Sequence, residues 1–148
     1  MTHHRFLSSP IPSSLESLDR HERLLHESVR ESGRLKLSAS RPHSRKPEVH
    51  PVSLPARTMS MSVGILRPLQ GSDLQRHNYE TLMYITAGSG FSLIGETHVA
   101  WTAGDAIYIP VWQWHKHVNT SETAEATYVA CENTPLLQTL GIALREQG

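Results

Sequence analysis

An all-β domain, a small antiparallel barrel or sandwich, is predicted for residues 58–148 of this 148-residue chain. Three observations carry that expectation. Short runs rich in β-branched and aromatic residues recur between glycine-containing turns. Apolar and polar residues alternate within the first run, Met59, Met61, Val63 and Ile65 against Ser60, Ser62 and Gly64, the period of a half-buried strand. Eight of the nine aromatic residues lie in this part of the chain, all but Phe6.

In chain order, residues 1–13 read as a tail ending at Pro10 and Pro12. A helix is expected over 14–32: Ser13 and Glu16 form a capping box, and Leu15, Leu18, Glu22, Leu25 and Val29 recur every three to four residues, a narrow apolar stripe that needs a surface to dock on. Residues 38–57 contain four prolines and no strong periodicity, so they read as an extended linker. The strand series continues through Thr81–Thr86, Phe91–Ile94, His98–Trp101, Ala106–Ile109 and Ala126–Cys131, intervals short enough for a sandwich or barrel. A terminal helix is expected over 135–146, capped by Thr134, with Pro135 in its first turn and Leu136, Leu137, Leu140 and Leu144 on one face. The division is thus an arm of residues 1–57 and a β domain of 58–148.

Length suits one domain with one modest core. At 38% hydrophobic residues and a mean hydropathy of −0.36, part of the chain lies outside that core. Cys131 is the lone cysteine, which rules out an intrachain disulfide and fits a reducing compartment. The opening residues lack the apolar stretch of a secretory signal. No apolar run approaches the roughly 20 residues that span a bilayer. A cytoplasmic location is expected. The net charge of zero hides an asymmetry: residues 1–57 carry ten Lys/Arg against six acids, and residues 58–148 carry four against eight. The basic residues of the arm are interleaved with acids, so it is expected to lie on its own acidic domain or a second subunit. Nucleic acid is an unfavoured partner, since one polar helix is not a helix-turn-helix.

Two segments carry the chemistry. Gly104–Asn119 combines a glycine turn, a short strand, Pro110, Trp112, Trp114, His115, His117 and Asn119; Gln75–Thr81 holds Gln75, Arg76, His77, Tyr79 and Glu80. Gln75, His77, Tyr79, Thr81, Met83 and Ile85 share one parity and therefore one face; His115 and His117 share a face on another strand. If both faces point inward, the interior holds imidazoles, an amide, a phenol and apolar walls. Two neutral histidines and an oxygen donor make an adequate set for Fe(II), Mn(II), Ni(II) or Zn(II). Gln75 can supply the oxygen, whereas Glu80 has the wrong parity without a bulge. Trp112 and Trp114 suit a pocket mouth or rim packing equally. Asn119, Gly104 and Pro110 read as turn residues, and Cys131 as a small core residue. His98 reads as a bland strand residue. The arm histidines His3, His4, His21, His26, His43 and His50 read as solvated.

These segments resemble the two motifs of the cupin superfamily. The second motif, G-x5-P-x-G-x2-H-x3-N, is met by Gly104, Pro110, His115 and Asn119, with Trp112 at the inner glycine. In the first, G-x5-H-x-H-x3-E-x6-G, counting back from Gly88 places Thr81 at the glutamate, His77 at the second histidine and Gln75 at the first. Fifteen residues, 89–103, separate the two. Within cupins the segment Pro110-Val111-Trp112-Gln113-Trp114-His115-Lys116-His117-Val118-Asn119 and the triplet Gln75-Arg76-His77 are most similar to the gentisate 1,2-dioxygenase-like ring-cleaving enzymes. Those enzymes have histidine where this chain has Gln75, and a carboxylate-gripping arginine where it has Met83; Arg76, Arg67 or a basic residue of the arm is expected to replace that grip.

The resemblance implies a cupin β-barrel of the jelly-roll kind. It implies one divalent transition metal, Fe(II) first and Mn, Ni or Zn otherwise, on His77, His115 and Gln75. His117 and Tyr79 are expected to act on substrate protons, and Met83, Trp112 and Arg76 to line the pocket. The implied function is dioxygenase-like oxidation of a small chelating aromatic hydroxy-acid. The alternative is a non-catalytic small-molecule-binding cupin with a degenerate metal site. A homodimer is expected, with the arm at its interface.

Overall fold

The computed structural model describes residues 24–31 and 46–148. Ten strands and one labelled helix follow in order: β1 (Glu48–Pro51), β2 (Ser60–Leu66), β3 (Gln75–His77), β4 (Thr81–Ala87), β5 (Ser89–Ile94), β6 (Thr97–Thr102), β7 (Ala106–Ile109), β8 (His115–Asn119), β9 (Ala126–Glu132), α1 (Thr134–Thr139) and β10 (Arg145–Gln147). They form two five-stranded sheets, β1-β2-β9-β4-β7 and β10-β3-β8-β5-β6, and all pairings are antiparallel. The predicted all-β class is what the chain adopts, and the expected strands stand within a residue or two of their predicted bounds.

The inner faces follow from parity. On β4, Thr81, Met83 and Ile85 are buried while Leu82 and Tyr84 are exposed. On β8, His115, His117 and Asn119 are buried. Leu66, Met83, Ile85, Trp101, Ile107, Ile109, Ala126, Tyr128 and Ala130 form one apolar cluster that fills one end of the interior. The histidine-bearing ends of β3 and β8 are left outside that cluster. Asn119 is fully buried; its Nδ2 donates to the carbonyls of Leu66, Arg67 and Ala124, and its Oδ1 accepts from the Ser121 amide. It therefore ties β8 to the end of β2 and the loop before β9.

Two glycines are set by close approach. A Cβ on Gly90 would lie 2.1 Å from the Val118 carbonyl oxygen and 2.5 Å from the Trp101 ring, and one on Gly64 would lie 2.0 Å from the Tyr128 ring. The reverse occurs at two non-glycine positions. Trp112 (φ 63°) holds the left-handed conformation at the inner glycine of the second motif, and Leu69 (φ 58°) does so at the leading glycine position of the first. Each conformation costs about 1 kcal/mol. Each is pinned by its amide, Trp112 to the His77 carbonyl at 2.7 Å and Leu69 to the Ser121 carbonyl at 2.9 Å.

The ends of the domain differ from expectation. Residues 48–51, placed in the linker, form β1 and pair with β2. The predicted C-terminal helix of 135–146 stops at Thr139. Gly141 takes φ 72°, its amide bonds the Gln138 carbonyl, and the Ile142 amide bonds the Leu137 carbonyl. This paired closure ends the helix and turns the chain into β10. The N-cap is Asn133, not Thr134; Asn133 Oδ1 instead accepts from the Glu80 amide. The helix expected over 14–32 lies mostly outside the described residues; of the described stretch 24–31, residues 29–31 are helical. His50 is buried rather than solvated, with Nε2 3.4 Å from Glu48, and His26 accepts from the Ser53 amide. Basic residues of the arm reach acids of the domain: Arg30 pairs with Glu125 at 2.5 Å and Lys46 with Asp73 at 2.9 Å.

The Gly90→Ala substitution is expected to cost about 3 kcal/mol or more, because the added methyl meets backbone that cannot yield without separating β5 from β8. Urea denaturation checks this; a loss below about 0.5 kcal/mol would show that the two strands are free to part.

Candidate metal and small-molecule site

A cavity of about 260 Å³ opens between the sheets, at the small end of ligand pockets. Gln75, His77, Thr81, Met83, His115, His117, Tyr128, Ala130 and Glu132 line it, and Arg145 and Gln147 of β10 close one side. The register explains the assembly. Gln75 stands opposite His115 across β3 and β8, and Arg145 opposite His77 across β10 and β3. Opposed residues share a face, so four polar side chains converge from three strands.

The three imidazoles are oriented differently. His77 Nδ1 donates to the Tyr79 carbonyl at 2.8 Å, and His115 Nδ1 donates to the Gln113 carbonyl at 2.9 Å. A carbonyl only accepts, so the proton sits on Nδ1 and the Nε2 lone pair is free in both rings. These rings meet edge to face with centroids 4.8 Å apart. His117 Nδ1 lies 2.7 Å from the Ser92 hydroxyl, which already accepts from Trp101 Nε1 at 3.0 Å. Ser92 is fully buried, and indole nitrogen only donates. The Ser92 proton therefore goes to His117 Nδ1, which leaves the His117 proton on Nε2. His77 and His115 present lone pairs; His117 presents a donor.

Burial keeps all three neutral. Desolvation lowers the His77 pKa below its ordinary value against a smaller raising effect of the Tyr79 carbonyl. Desolvation likewise lowers His115, opposed by the Gln113 carbonyl. His117, the most enclosed, is lowered to about 3, chiefly by desolvation. Tyr79 stacks flat on His77, centroids 3.9 Å apart and planes 3° from parallel, and desolvation raises its pKa.

Measured against a divalent transition ion, the donor set fits as two imidazole ligands of the correct tautomer with carbonyl partners behind them. Among the described residues no group of three His, Cys, Asp or Glu is placed to hold a metal. Gln75 Oε1, the expected third donor, accepts a hydrogen bond from Arg145 Nη2. Glu132 lies on the opposite sheet, where its two oxygens accept from the Thr81 and Thr134 hydroxyls.

Of the residues predicted from sequence, the cavity brings together Gln75, His77, Met83, His115 and His117. Tyr79 stands behind His77 instead of at the cavity. Arg76 and Trp112, expected at the pocket, lie outside it. Arg76 points to the other face of β3, bonds Glu146 at 2.7 Å and sits 4.6 Å from the Trp112 ring and 4.7 Å from the Trp114 ring. Its parity, between Gln75 and His77, already directed it outward. Arg145, Glu132 and Tyr128 were not anticipated at the site. Tyr128 and Glu132 share the inward parity of Ala126 and Ala130 on β9, a signal the sequence did hold. Arg145 carried none, because it was assigned to a helix.

Comparison with known proteins agrees with this geometry. Residues 63–131 match the family model described as a cupin domain. Over 90 residues the chain is 31% identical to a 5-aminosalicylate 1,2-dioxygenase of a Comamonas species, a match covering 61% of this chain and 23% of that protein. The chain thus spans about a quarter of the length of this curated relative. A salicylate 1,2-dioxygenase from Pseudaminobacter salicylatoxidans superposes with a TM-score of 0.72 at 17% identity, covering 90% of this chain and 42% of that one. A cupin-2 domain from Rhodospirillum rubrum superposes with a TM-score of 0.56 at 22% identity, covering 60% of each chain. The match of residues 63–131 to the cupin domain model and the two antiparallel sheets show that this chain has the cupin fold.

Proposed function

We propose that the cavity holds one divalent transition metal on Nε2 of His77 and His115, and that the protein acts as a dioxygenase-like oxidoreductase on a small chelating aromatic hydroxy-acid. The observation that carries this reading is the matched anchoring of the two rings, each Nδ1–H on a backbone carbonyl, each Nε2 free. Fe(II) suits such a site first, with Mn, Ni and Zn as substitutes. When bound, the ion supplies Lewis acidity and open coordination positions for a substrate and O2. The chain does the rest. His117 offers Nε2–H to a substrate oxygen and, being neutral, adds no charge. Tyr79 holds the plane of His77. Met83, Tyr128 and Ala130 give a ring-shaped substrate an apolar wall and exclude water.

The second reading is a non-catalytic cupin that binds a small molecule. The hold of Arg145 on Gln75 favours it, since the third metal donor is then occupied. Partners follow from both readings: a small molecule in the cavity, and a second copy of the chain, for which exposed Leu82, Tyr84 and Tyr108 on the outer face of β4 and β7 offer an apolar patch. Among the described residues no helix is long and apolar enough to cross a membrane. The lone cysteine supports a cytoplasmic setting.

Elemental analysis of protein purified without chelator is expected to find a transition metal. His77→Ala and His115→Ala should each weaken metal binding by about a hundredfold, and Gln75→His should tighten it by about tenfold. Less than about a tenth of an equivalent, with none taken up on reconstitution, leaves the non-catalytic reading in place.

The neutral burial of His117 sets a pH dependence. Its folded pKa of about 3 lies below the ordinary 6.5, so the unfolded chain binds the extra proton. Stability from this group is complete above pH 6.5 and falls as pH drops toward 3. At pH 5 the loss is about 2 kcal/mol. Urea midpoints measured from pH 7.5 to 4 should fall accordingly, and His117→Gln should flatten the fall.

A further inference from the structure

Arg145 is a fixed positive charge facing the cavity without a carboxylate partner. The three imidazoles around it are held neutral by burial. Lys46, also at the cavity, is paired with Asp73 at 2.9 Å. Arg145 instead directs Nη2 to the neutral amide oxygen of Gln75. Among the described residues no carboxylate stands within ion-pair distance of it. Its position is built into the sheet: β10 pairs with β3 so that Arg145 lies opposite His77 and Gln147 opposite Gln75. The strand is fixed by Asn78, whose side chain bonds the Leu144 amide and the Ile142 carbonyl, and by Glu146 on Arg76.

A guanidinium bonded to a neutral amide at a cavity edge gains by exchanging it for an anion, because a carboxylate brings the opposite charge and accepts two parallel hydrogen bonds from the fork. Glu132, a carboxylate on the wall formed by the other sheet, is tied to two hydroxyls and repels an anion toward the Arg145 side. We propose that Arg145 is the residue that selects the ligand of this cavity: it seats the carboxylate of a small single-ring acid, taking it in exchange for Gln75. Released, the Gln75 amide oxygen becomes free beside Nε2 of His77 and His115. Carboxylate binding and completion of the donor set are then one event. The inference rests on the cavity being a small-molecule site, but its first step needs no metal.

The test is calorimetric titration of the full chain in chelator with benzoate and with benzamide, a neutral analogue of the same shape. Wild type should bind benzoate at least about tenfold tighter than benzamide, and Arg145→Gln should erase that difference. Arg145→Lys, which keeps the charge and loses the fork, should fall between them. Gln75→Ala should tighten benzoate a few-fold by removing the competitor. Lys116→Gln removes a cation from the outer face of β8, outside the cavity and away from β10, and should bind benzoate as wild type does. Equal benzoate binding by wild type and Arg145→Gln overturns the proposal, and so does an equal loss in Lys116→Gln or in Gln75→Ala. Metal uptake is measured separately. Arg145-dependent benzoate binding without metal uptake sinks the dioxygenase reading and leaves this inference standing; metal uptake with Arg145-independent benzoate binding does the opposite.

Discussion

The site depends on one antiparallel contact, Gln75 opposite His115. It joins strands forty residues apart in the chain and fixes which way both present their side chains. Because side chains alternate along a strand, a slip of one residue would turn His77 or His115 to the outer face and bring Arg76 or Lys116 inward. Several features hold the register. The Trp112 amide bonds the His77 carbonyl, the Ser72 hydroxyl accepts from the His117 amide, and Asn119 ties the far end of β8 to three carbonyls. The left-handed backbone at Trp112 and Leu69 belongs to the same economy, since each strained residue delivers an amide to a distant strand.

Once register is set, backbone chemistry decides what the imidazoles can do. Two rings use carbonyl acceptors and so expose lone pairs; the third accepts the proton of the buried Ser92 hydroxyl at Nδ1 and so carries its own on Nε2. Three histidines in one cavity are therefore not three equivalent ligands. The distinction lives in Tyr79, Gln113, Ser92 and Trp101, of which only the first and last carry side chains suggestive of chemistry. Tyr79 acts here through both its ring and its carbonyl.

Much of the barrel was legible because its strands are two-faced: Thr81, Met83 and Ile85 alternate with Leu82, Tyr84 and Thr86, and the wall so defined is the wall observed. The second motif was legible because its turn residues and histidine are close in sequence. What escaped were elements defined by their neighbours. β1 contains His50 and ends at Pro51 in a proline-rich stretch, tolerable only because it is an edge strand. β10, Arg145-Glu146-Gln147, has no apolar alternation at all; it is a strand because β3 offers it a partner. Gly141 was the available signal that the leucine-rich helix stops early. The early end of the helix is what lets Arg145 enter a strand beside the cavity. The outward course of Arg76 was readable from parity and was outweighed by resemblance, whereas Trp112 precedes its strand and has no parity to read.

The weakness of β10 has a kinetic side. It is three exposed residues paired along one edge, anchored by an amide side chain and a surface ion pair. Opening of such an edge costs less than global unfolding, because few contacts hold it. The wall that carries Arg145 is thus also the part of the cavity most readily parted, and each detachment would carry the guanidinium away with it. Entry and retention of a ligand are coupled through one strand: a bound anion bridging Arg145 to the interior would slow the fraying that admits it, and amide exchange at Arg145–Gln147 would report residence time.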